Sequence, residues 1–135
     1  LKRTQETAQL AFLDRQIKLI SDFDERGFGQ WEGLTADEIE AAFPEVWQAW
    51  LEAPFEVTPP EAEVFSDFQT RVWTATDRLL DSTDESIALV AHLGVLRLIY
   101  QHLVDLKAVF WNIDVPQGRV LLLEERDQNW QATLL

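Results

Sequence analysis

Apolar side chains recur every third or fourth position between residues 63 and 80, which is the spacing of one face of an α-helix. The apolar positions of this stretch are Val64, Phe65, Phe68, Val72, Ala75 and Leu79. Earlier in the chain, Thr35 and Glu38 have the spacing of a capping box, so a helix is expected to begin there and to end before Pro44. The pattern predicts helices at residues 4–12, 35–43, 45–52, 63–80 and 94–106.

Short apolar runs between these helices are typical of strands. Such runs occupy residues 17–20, 87–91, 119–124 and 130–135. Because strands alternate with helices, we expect one α/β domain over residues 1–135, a three-layer sandwich with a mainly parallel central sheet. Residues 53–60 contain three prolines and interrupt the regular elements as a linker or lid loop.

His92 stands directly after the apolar run 87–91 and is followed by Gly94 and a predicted helix. In open α/β sheets, ligands bind beyond the carboxyl ends of the strands, and the N-terminus of the next helix attracts anions. His92 is therefore a candidate residue of a phosphate site. The alternative is a histidine of the core whose hydrogen bonds are satisfied within the protein.

The chain of 135 residues has a formal net charge of -13, with 24 acidic and 11 basic residues. Such a surface repels nucleic acid and anionic lipid, so neither is expected as a partner. The chain has no cysteine and only two histidines, and no carboxylates stand around these at metal-ligand spacing, so no metal is expected. No apolar run is long enough to span a bilayer, and we expect a cytoplasmic protein.

Three motifs, in this order, resemble those of the histidine phosphatase (phosphoglycerate mutase-like) superfamily. They are Leu1-Lys2-Arg3-Thr4, then Phe23-Asp24-Glu25-Arg26-Gly27-Phe28-Gly29-Gln30-Trp31-Glu32-Gly33, then Ala91-His92-Leu93-Gly94-Val95-Leu96-Arg97. The resemblance covers nearly the whole chain and implies a phosphoglycerate mutase-like fold. The compact spacing from Phe28 to Pro60 is similar to that of alpha-ribazole phosphatases and broad-specificity phosphatases, whereas mutases have longer insertions in this region.

The resemblance also implies a reaction that passes through a phosphohistidine. In the family, the nucleophilic histidine belongs to an Arg-His-Gly motif on the first strand. These 135 residues contain no such motif and no methionine, so we expect the first strand and the nucleophile to be missing from this chain.

The resemblance assigns three site residues. Arg3 matches the arginine that clamps the phosphate, Glu25 the general acid, and His92 the second histidine, which stabilises charge on the transferring phosphoryl group. A guanidinium can hold two phosphoryl oxygens at once, and a carboxylic acid can protonate a leaving oxygen. We therefore expect these three side chains to converge on one anion. The ordinary alternatives are a surface arginine, a solvated loop glutamate and a core histidine.

The substrate pocket implied by the resemblance includes Leu93, Gly94 and Glu63. Leu93 is bulkier than the family's usual glycine or alanine at this position and is expected to narrow the approach to the phosphate. Ala62-Glu63-Val64 replaces the family's Gly-Glu-Ser and loses a hydroxyl, so substrate contacts are expected to differ there.

Several other polar and aromatic residues have structural interpretations. Glu32 is expected to anchor its own loop through backbone N–H groups. His102, which has no motif around it, is expected to be a surface or boundary side chain. The tryptophans, including Trp47 and Trp50, either pack in the core, which we favour, or form an apolar lid over a bulky leaving group.

The expected function is that of a metal-independent phosphomonoesterase that uses no cofactor and acts on a small phosphorylated metabolite. The resemblance makes alpha-ribazole-5'-phosphate, from cobalamin biosynthesis, the first candidate substrate. A homodimer is also compatible with the sequence. The alternatives are a phosphoglycerate mutase-like enzyme and a non-catalytic domain that binds phosphate or a protein partner.

Overall fold

The computed structural model describes residues 1–135, which form five helices and one small sheet, so the chain is an α/β protein. The helices are α1 (Lys2–Ala11), α2 (Ala36–Ala42), α3 (Pro44–Glu52), α4 (Phe65–Asp81) and α5 (Leu93–Leu103), and the strands are β1 (Leu121–Arg126) and β2 (Asn129–Leu134). The residues group into two compact units, one made of 1–25 with 71–135 and the other of 26–70. No helix has the length and apolar character needed to cross a membrane.

The five predicted helices are confirmed, with ends that differ by up to three residues. Thr35 caps α2 as expected, because its side chain accepts a bond from the Glu38 amide while the Glu38 carboxylate accepts one from the Thr35 amide. Pro44 separates α2 from α3 and occupies the first turn of α3, where its missing N–H costs no helical bond. These helix boundaries depend on residues that are close together in the sequence, so the sequence alone predicts them.

The two late strands are also confirmed, and they pair as an antiparallel hairpin with Leu121 opposite Leu134 and Arg126 opposite Asn129. The turn residues Asp127 and Gln128 both have positive φ, 52° and 65°, which is the geometry of a tight two-residue turn. The hairpin is the whole of the described sheet.

The two other predicted strands, 17–20 and 87–91, are wrong as strands of this structure. A strand requires a hydrogen-bonded neighbour, and no backbone bond joins either segment to another. Instead, the two segments line a cavity of about 770 Å³ within the unit formed by residues 1–25 and 71–135. We call this cavity the strand groove. The parallel, three-layer sheet and the single-domain organisation thus stay predictions.

The core of the unit formed by residues 1–25 and 71–135 lies around α5. Val95 and Leu98 are fully buried, and Val72 of α4 is equally inaccessible. The Trp73 indole N–H donates to the Leu98 carbonyl oxygen at 2.9 Å and links α4 to α5. This packing fixes the position of the first turn of α5.

The unit formed by residues 26–70 has an aromatic core. Trp47 and Trp50 stack with ring centroids 5.7 Å apart, and Trp31, which is buried, meets both of them edge-on. Core packing, the interpretation favoured from the sequence, therefore accounts for these rings. Gly29 of the same unit has φ of 54°, and a Cβ there would overlap the backbone of Pro60.

Candidate active site

The candidate site lies at the N-terminus of α5, where His92 is the N-cap residue. His92 has extended backbone angles, φ -110° and ψ 160°, so the chain enters the helix directly after the apolar segment 87–91. The first amides of a helix have no acceptor within the helix and carry a partial positive charge. The N-terminus of α5 is thus an electrostatically positive place in a strongly acidic chain.

Arg3 and His92 are in direct contact although they lie 89 positions apart. The Arg3 guanidinium donates from Nη2 to His92 Nδ1 at 3.1 Å. Because a guanidinium only donates, Nδ1 must be the unprotonated nitrogen, and the ring proton of neutral His92 lies on Nε2. His92 Nε2 is buried and has no hydrogen-bond partner in the protein. The ring therefore presents one unused N–H donor.

The pKa of His92 is lowered from its ordinary value, first by burial and then by the positive charge of Arg3, while Glu25 opposes the shift. The imidazole is only 8% exposed. It is consequently neutral near pH 7 and acts as a hydrogen-bond donor rather than as a cation.

Glu25 reaches the same helix end. The Gly94 amide donates to Glu25 Oε2 at 3.2 Å, so the carboxyl group lies against the first turn of α5. This approach requires glycine, since a Cβ at position 94 would overlap Glu25 Oε1. Arg3, Glu25 and His92, chosen from the sequence, are thus brought together at one helix terminus, while their roles stay predictions.

Arg71 is a residue that the sequence reasoning missed. Its Nη1 donates to the carbonyl oxygens of Asp22 and Asp24 at 2.7 and 2.8 Å, and its Nη2 donates to that of Glu25 at 3.3 Å. A signal was available, because Arg71 follows Phe68 by three positions and precedes Ala75 by four, on the apolar side of α4. An arginine in that stripe requires a buried polar partner.

The residues expected in the substrate pocket have different surroundings. Leu93 and Gly94 form the first turn of α5 and are half-buried beside His92. Glu63 belongs to the unit of residues 26–70, where its amide donates to the Gly27 carbonyl and its carbonyl accepts a bond from Arg26 Nε. Membership of Glu63 in the substrate pocket stays a prediction.

Two residues with structural interpretations have the expected type of contact. Glu32 Oε1 accepts a bond from the Phe28 amide at 3.0 Å and so anchors its own loop. His102 lies at the boundary, where it stacks on Trp73 and bonds Asp77 at 2.7 Å. No group of three or more histidine, aspartate or glutamate side chains is arranged to hold a metal ion.

The arrangement suits a dianion. Arg3 brings a guanidinium, His92 a neutral N–H donor, and α5 the partial positive charge of its first turn. Glu25 adds a carboxyl group, which can exchange a proton with a bound ester. An arginine, a histidine and a carboxyl group thus meet at one helix N-terminus, which is a combination that can bind a phosphoryl group.

Comparison with known proteins identifies the family of this chain. The profile of the histidine phosphatase superfamily (branch 1) matches residues 1–135, and the chain belongs to this family. The chain is 32% identical over 122 residues to the adenosylcobalamin/alpha-ribazole phosphatase of Escherichia coli K12, an alignment that covers 87% of this chain and 60% of the relative. The chain therefore spans less than two thirds of that relative's length.

Two solved structures have a fold similar to that of this chain. The alpha-ribazole phosphatase of Shigella flexneri superposes with a TM-score of 0.89 at 28% identity, covering 100% of this chain and 69% of the other. The Bacillus stearothermophilus protein YhfR superposes with a TM-score of 0.78 at 26% identity, covering 98% of this chain and 68% of the other. The phosphoglycerate mutase-like fold expected from the motifs is therefore confirmed at the level of the family.

Proposed function

We propose that this chain forms the larger part of a metal-independent phosphomonoesterase that works through a phosphohistidine intermediate. The observation that carries the proposal is the contact between Arg3 and His92 at the N-terminus of α5, with Glu25 bonded to the same helix turn. Family membership supports the same reaction class.

In the first step, a nucleophilic histidine nitrogen attacks the phosphorus of the ester and forms a P–N bond while the P–O bond to the leaving group breaks. Arg3 holds the equatorial oxygens, and His92 donates its Nε2 proton in a hydrogen bond to them as negative charge builds. Glu25, protonated at this stage, gives its proton to the leaving oxygen, which departs as an alcohol.

In the second step, water attacks the phosphohistidine. Glu25, now a carboxylate, accepts a proton from the water as the new P–O bond forms and the P–N bond breaks. Inorganic phosphate leaves, and the nucleophilic histidine and the protonated Glu25 are restored. One carboxyl group thus serves as acid and then as base.

The nucleophile is proposed to lie on a strand outside these 135 residues, seated in the strand groove. Both walls of the groove, 17–20 and 87–90, carry apolar side chains and backbone groups without ladder partners. Its lining also includes Thr4 and Asp24, the sequence neighbours of Arg3 and Glu25, so an inserted strand passes close to the site. Such a strand would complete the parallel sheet and the three-layer sandwich expected from the sequence.

The substrate is proposed to be a small phosphate monoester, with alpha-ribazole-5'-phosphate as the first candidate because two relatives are named as alpha-ribazole phosphatases. Leu93 and Gly94, beside His92, are proposed to contact the leaving group, and the role of Glu63 in the substrate pocket stays a prediction. A cytoplasmic location and a homodimer stay predictions, and light scattering of the whole gene product measures the second.

A non-catalytic phosphate-binding domain is the competing function, and one observation favours it. His92 Nδ1 accepts the bond from Arg3 and Nε2 carries the ring proton, so His92 has no lone pair free to attack phosphorus, and His102 in the last turn of α5 is bonded to Asp77. If the whole gene product contains no further histidine on a strand, the binding function replaces the enzymatic one.

The test uses the whole gene product with p-nitrophenyl phosphate and a panel of alkyl phosphates in the presence of EDTA. We expect turnover of both kinds of ester to persist in EDTA. On the alkyl phosphates it should fall roughly 10²- to 10⁴-fold in Glu25→Ala, the usual contribution of a general acid. His92→Ala should lose roughly 10²- to 10³-fold, as for other donors to a transition-state anion.

His102→Ala is the matched control, because it removes the other imidazole while leaving the site intact. It should keep nearly full activity. Turnover that disappears with EDTA, or full activity in both Glu25→Ala and His92→Ala, would contradict the proposal.

A further inference from the structure

Three consecutive structural features place the Glu25 carboxyl group. Phe23 is buried at 5% exposure and anchors the short helical turn Ser21–Phe23. Directly after it, the Asp24 amide closes that turn on the Ser21 carbonyl. Glu25 then leaves the turn and directs its carboxylate to the Gly94 amide. The position of the carboxyl group therefore depends on where the backbone of residues 22–25 is held.

Arg71 holds that backbone. Its guanidinium lies among the carbonyl oxygens of residues 22, 24 and 25, with bonds of 2.7, 2.8 and 3.3 Å. Three carbonyl dipoles directed at one point repel each other unless a cation lies between them. The planar fork of arginine can serve several acceptors at fixed angles, which a neutral side chain of similar length cannot do.

We propose that Arg71 is a positioning residue for the general acid: it fixes the backbone of residues 22–25 and so sets the approach of Glu25 to the reacting oxygen. This inference rests on the proposed function, since it concerns the proton that Glu25 delivers. Arg71 itself acts through backbone carbonyls and through Glu25.

The fold provides a matched control two helical turns along α4. Arg78 also contacts the 22–25 segment, but through the Asp22 side chain at 3.8 Å, and the Arg78 side chain is 71% exposed. Arg78→Met therefore removes the same charge from the same helix without touching the carbonyl cluster. An exposed ion pair of this kind contributes little to stability.

The experiment compares Arg71→Met, Arg71→Lys and Arg78→Met in the whole gene product on two esters. An alkyl phosphate needs protonation of its leaving oxygen, whereas p-nitrophenolate leaves without it. We expect Arg71→Met to lower kcat/KM, which reports the first phosphoryl transfer and not the later attack of water, roughly 10²-fold on the alkyl ester, the scale of a misplaced catalytic group. The loss of kcat/KM should be far smaller on p-nitrophenyl phosphate. Arg71→Lys should recover part of the loss, and Arg78→Met should leave both rates unchanged.

The Glu25→Gln background provides the decisive comparison. If Arg71 acts through Glu25, adding Arg71→Met to Glu25→Gln costs little further activity, because the two changes remove the same step. Equal losses on the two esters, or losses that multiply in the double variant, would overturn the proposal and leave Arg71 a purely structural residue.

A second readout separates this inference from the proposed function. The bond from the Gly94 amide to Glu25 can be followed by NMR through the chemical shift and hydrogen exchange of that amide, with no turnover required. Arg71→Met should shift the Gly94 amide and speed its exchange, and Arg78→Met should not. An unchanged Gly94 amide in Arg71→Met overturns the positioning role even if the enzyme is active, and a changed one supports it even if no ester is hydrolysed.

Discussion

The contact between Arg3 and His92 pairs a permanent cation with a ring that can itself become cationic. At 3.1 Å, the guanidinium bond requires Nδ1 to be unprotonated and leaves Nε2 to carry the proton. A neutral histidine of fixed tautomer is a better donor to a phosphoryl oxygen than one whose proton position varies. In the function proposed above, the arginine would thus serve two purposes, binding the anion and fixing the tautomer of the ring beside it.

Removing the arginine charge should therefore raise the pKa of His92. In Arg3→Gln both the hydrogen bond to Nδ1 and the repulsion from the guanidinium are lost, and both had opposed protonation. NMR titration of the His92 ring measures the change. Lys2→Gln, which removes a charge from the neighbouring residue of α1 that is 89% exposed, is the control and should leave the pKa in place. Equal titration curves for Arg3→Gln and the unmodified chain would refute the coupling.

The same shift acts on stability with a definite sign. The folded-state pKa of His92 lies below the ordinary value of 6.5, so between these two pH values the unfolded chain binds more protons than the folded one. The contribution of His92 to the free energy of unfolding is present above pH 6.5 and is lost as the pH falls toward the folded-state pKa. Arg3→Gln brings the folded-state pKa of His92 closer to 6.5. The free energy of unfolding, measured by urea at a series of pH values, should therefore change less with pH in this variant than in the unmodified chain.

At the scale of elements, α5 combines a packing role with a chemical one. Its buried face holds Val95, Leu98 and Ile99 in the core, and its first turn carries the Gly94 amide that binds Glu25. The core contacts keep in place the helix terminus at which we propose that the substrate binds. At Gly94 the two roles conflict, because a side chain would favour the helix but would displace the Glu25 carboxyl group.

Gly94→Ala tests this conflict. Alanine favours a helix over glycine by up to about 1 kcal/mol, but here its Cβ would overlap Glu25 Oε1 and displace the carboxyl group. We expect activity to fall as in Glu25 variants, with little gain in stability. In the Glu25→Ala background the obstruction is gone, and Gly94→Ala should then stabilise the chain in urea unfolding. The same change in stability in both backgrounds would show that Glu25 does not lie against Gly94.

The elements predicted from the sequence differ from the observed ones for a physical reason. Helices and the terminal hairpin depend on neighbours close in sequence, as Thr35 with Glu38 and Asp127 with Gln128 show, so local patterns predict them. A parallel strand depends on a partner far away along the chain. The apolar composition of 87–91 predicts a strand, but composition does not show whether a hydrogen-bonding neighbour lies beside it, and none does in this structure. The position of Arg71 on the apolar side of α4 indicates that it needs a buried partner, but the sequence does not show which one, because its partners are backbone carbonyls.

At the scale of the whole molecule, the net charge of -13 gives the surroundings of the site a negative electrostatic potential. In the proposed function, the net charge repels a phosphate dianion at distances of about one Debye length, and the attraction comes from Arg3 and the first turn of α5 at short range. Binding of phosphate to this chain should therefore be local and should depend on one arginine. A diffuse cationic surface would give binding at many places instead.

The most direct measurement of the central claim is a titration of the chain with inorganic phosphate, followed by NMR. The account predicts saturable shifts of the Leu93 and Gly94 amides and of the His92 ring, with affinity weakened in Arg3→Gln and unchanged in Lys2→Gln. Phosphate that leaves these signals in place, or that binds Arg3→Gln as well as the unmodified chain, would contradict the claim that Arg3, His92 and the N-terminus of α5 form one phosphoryl site.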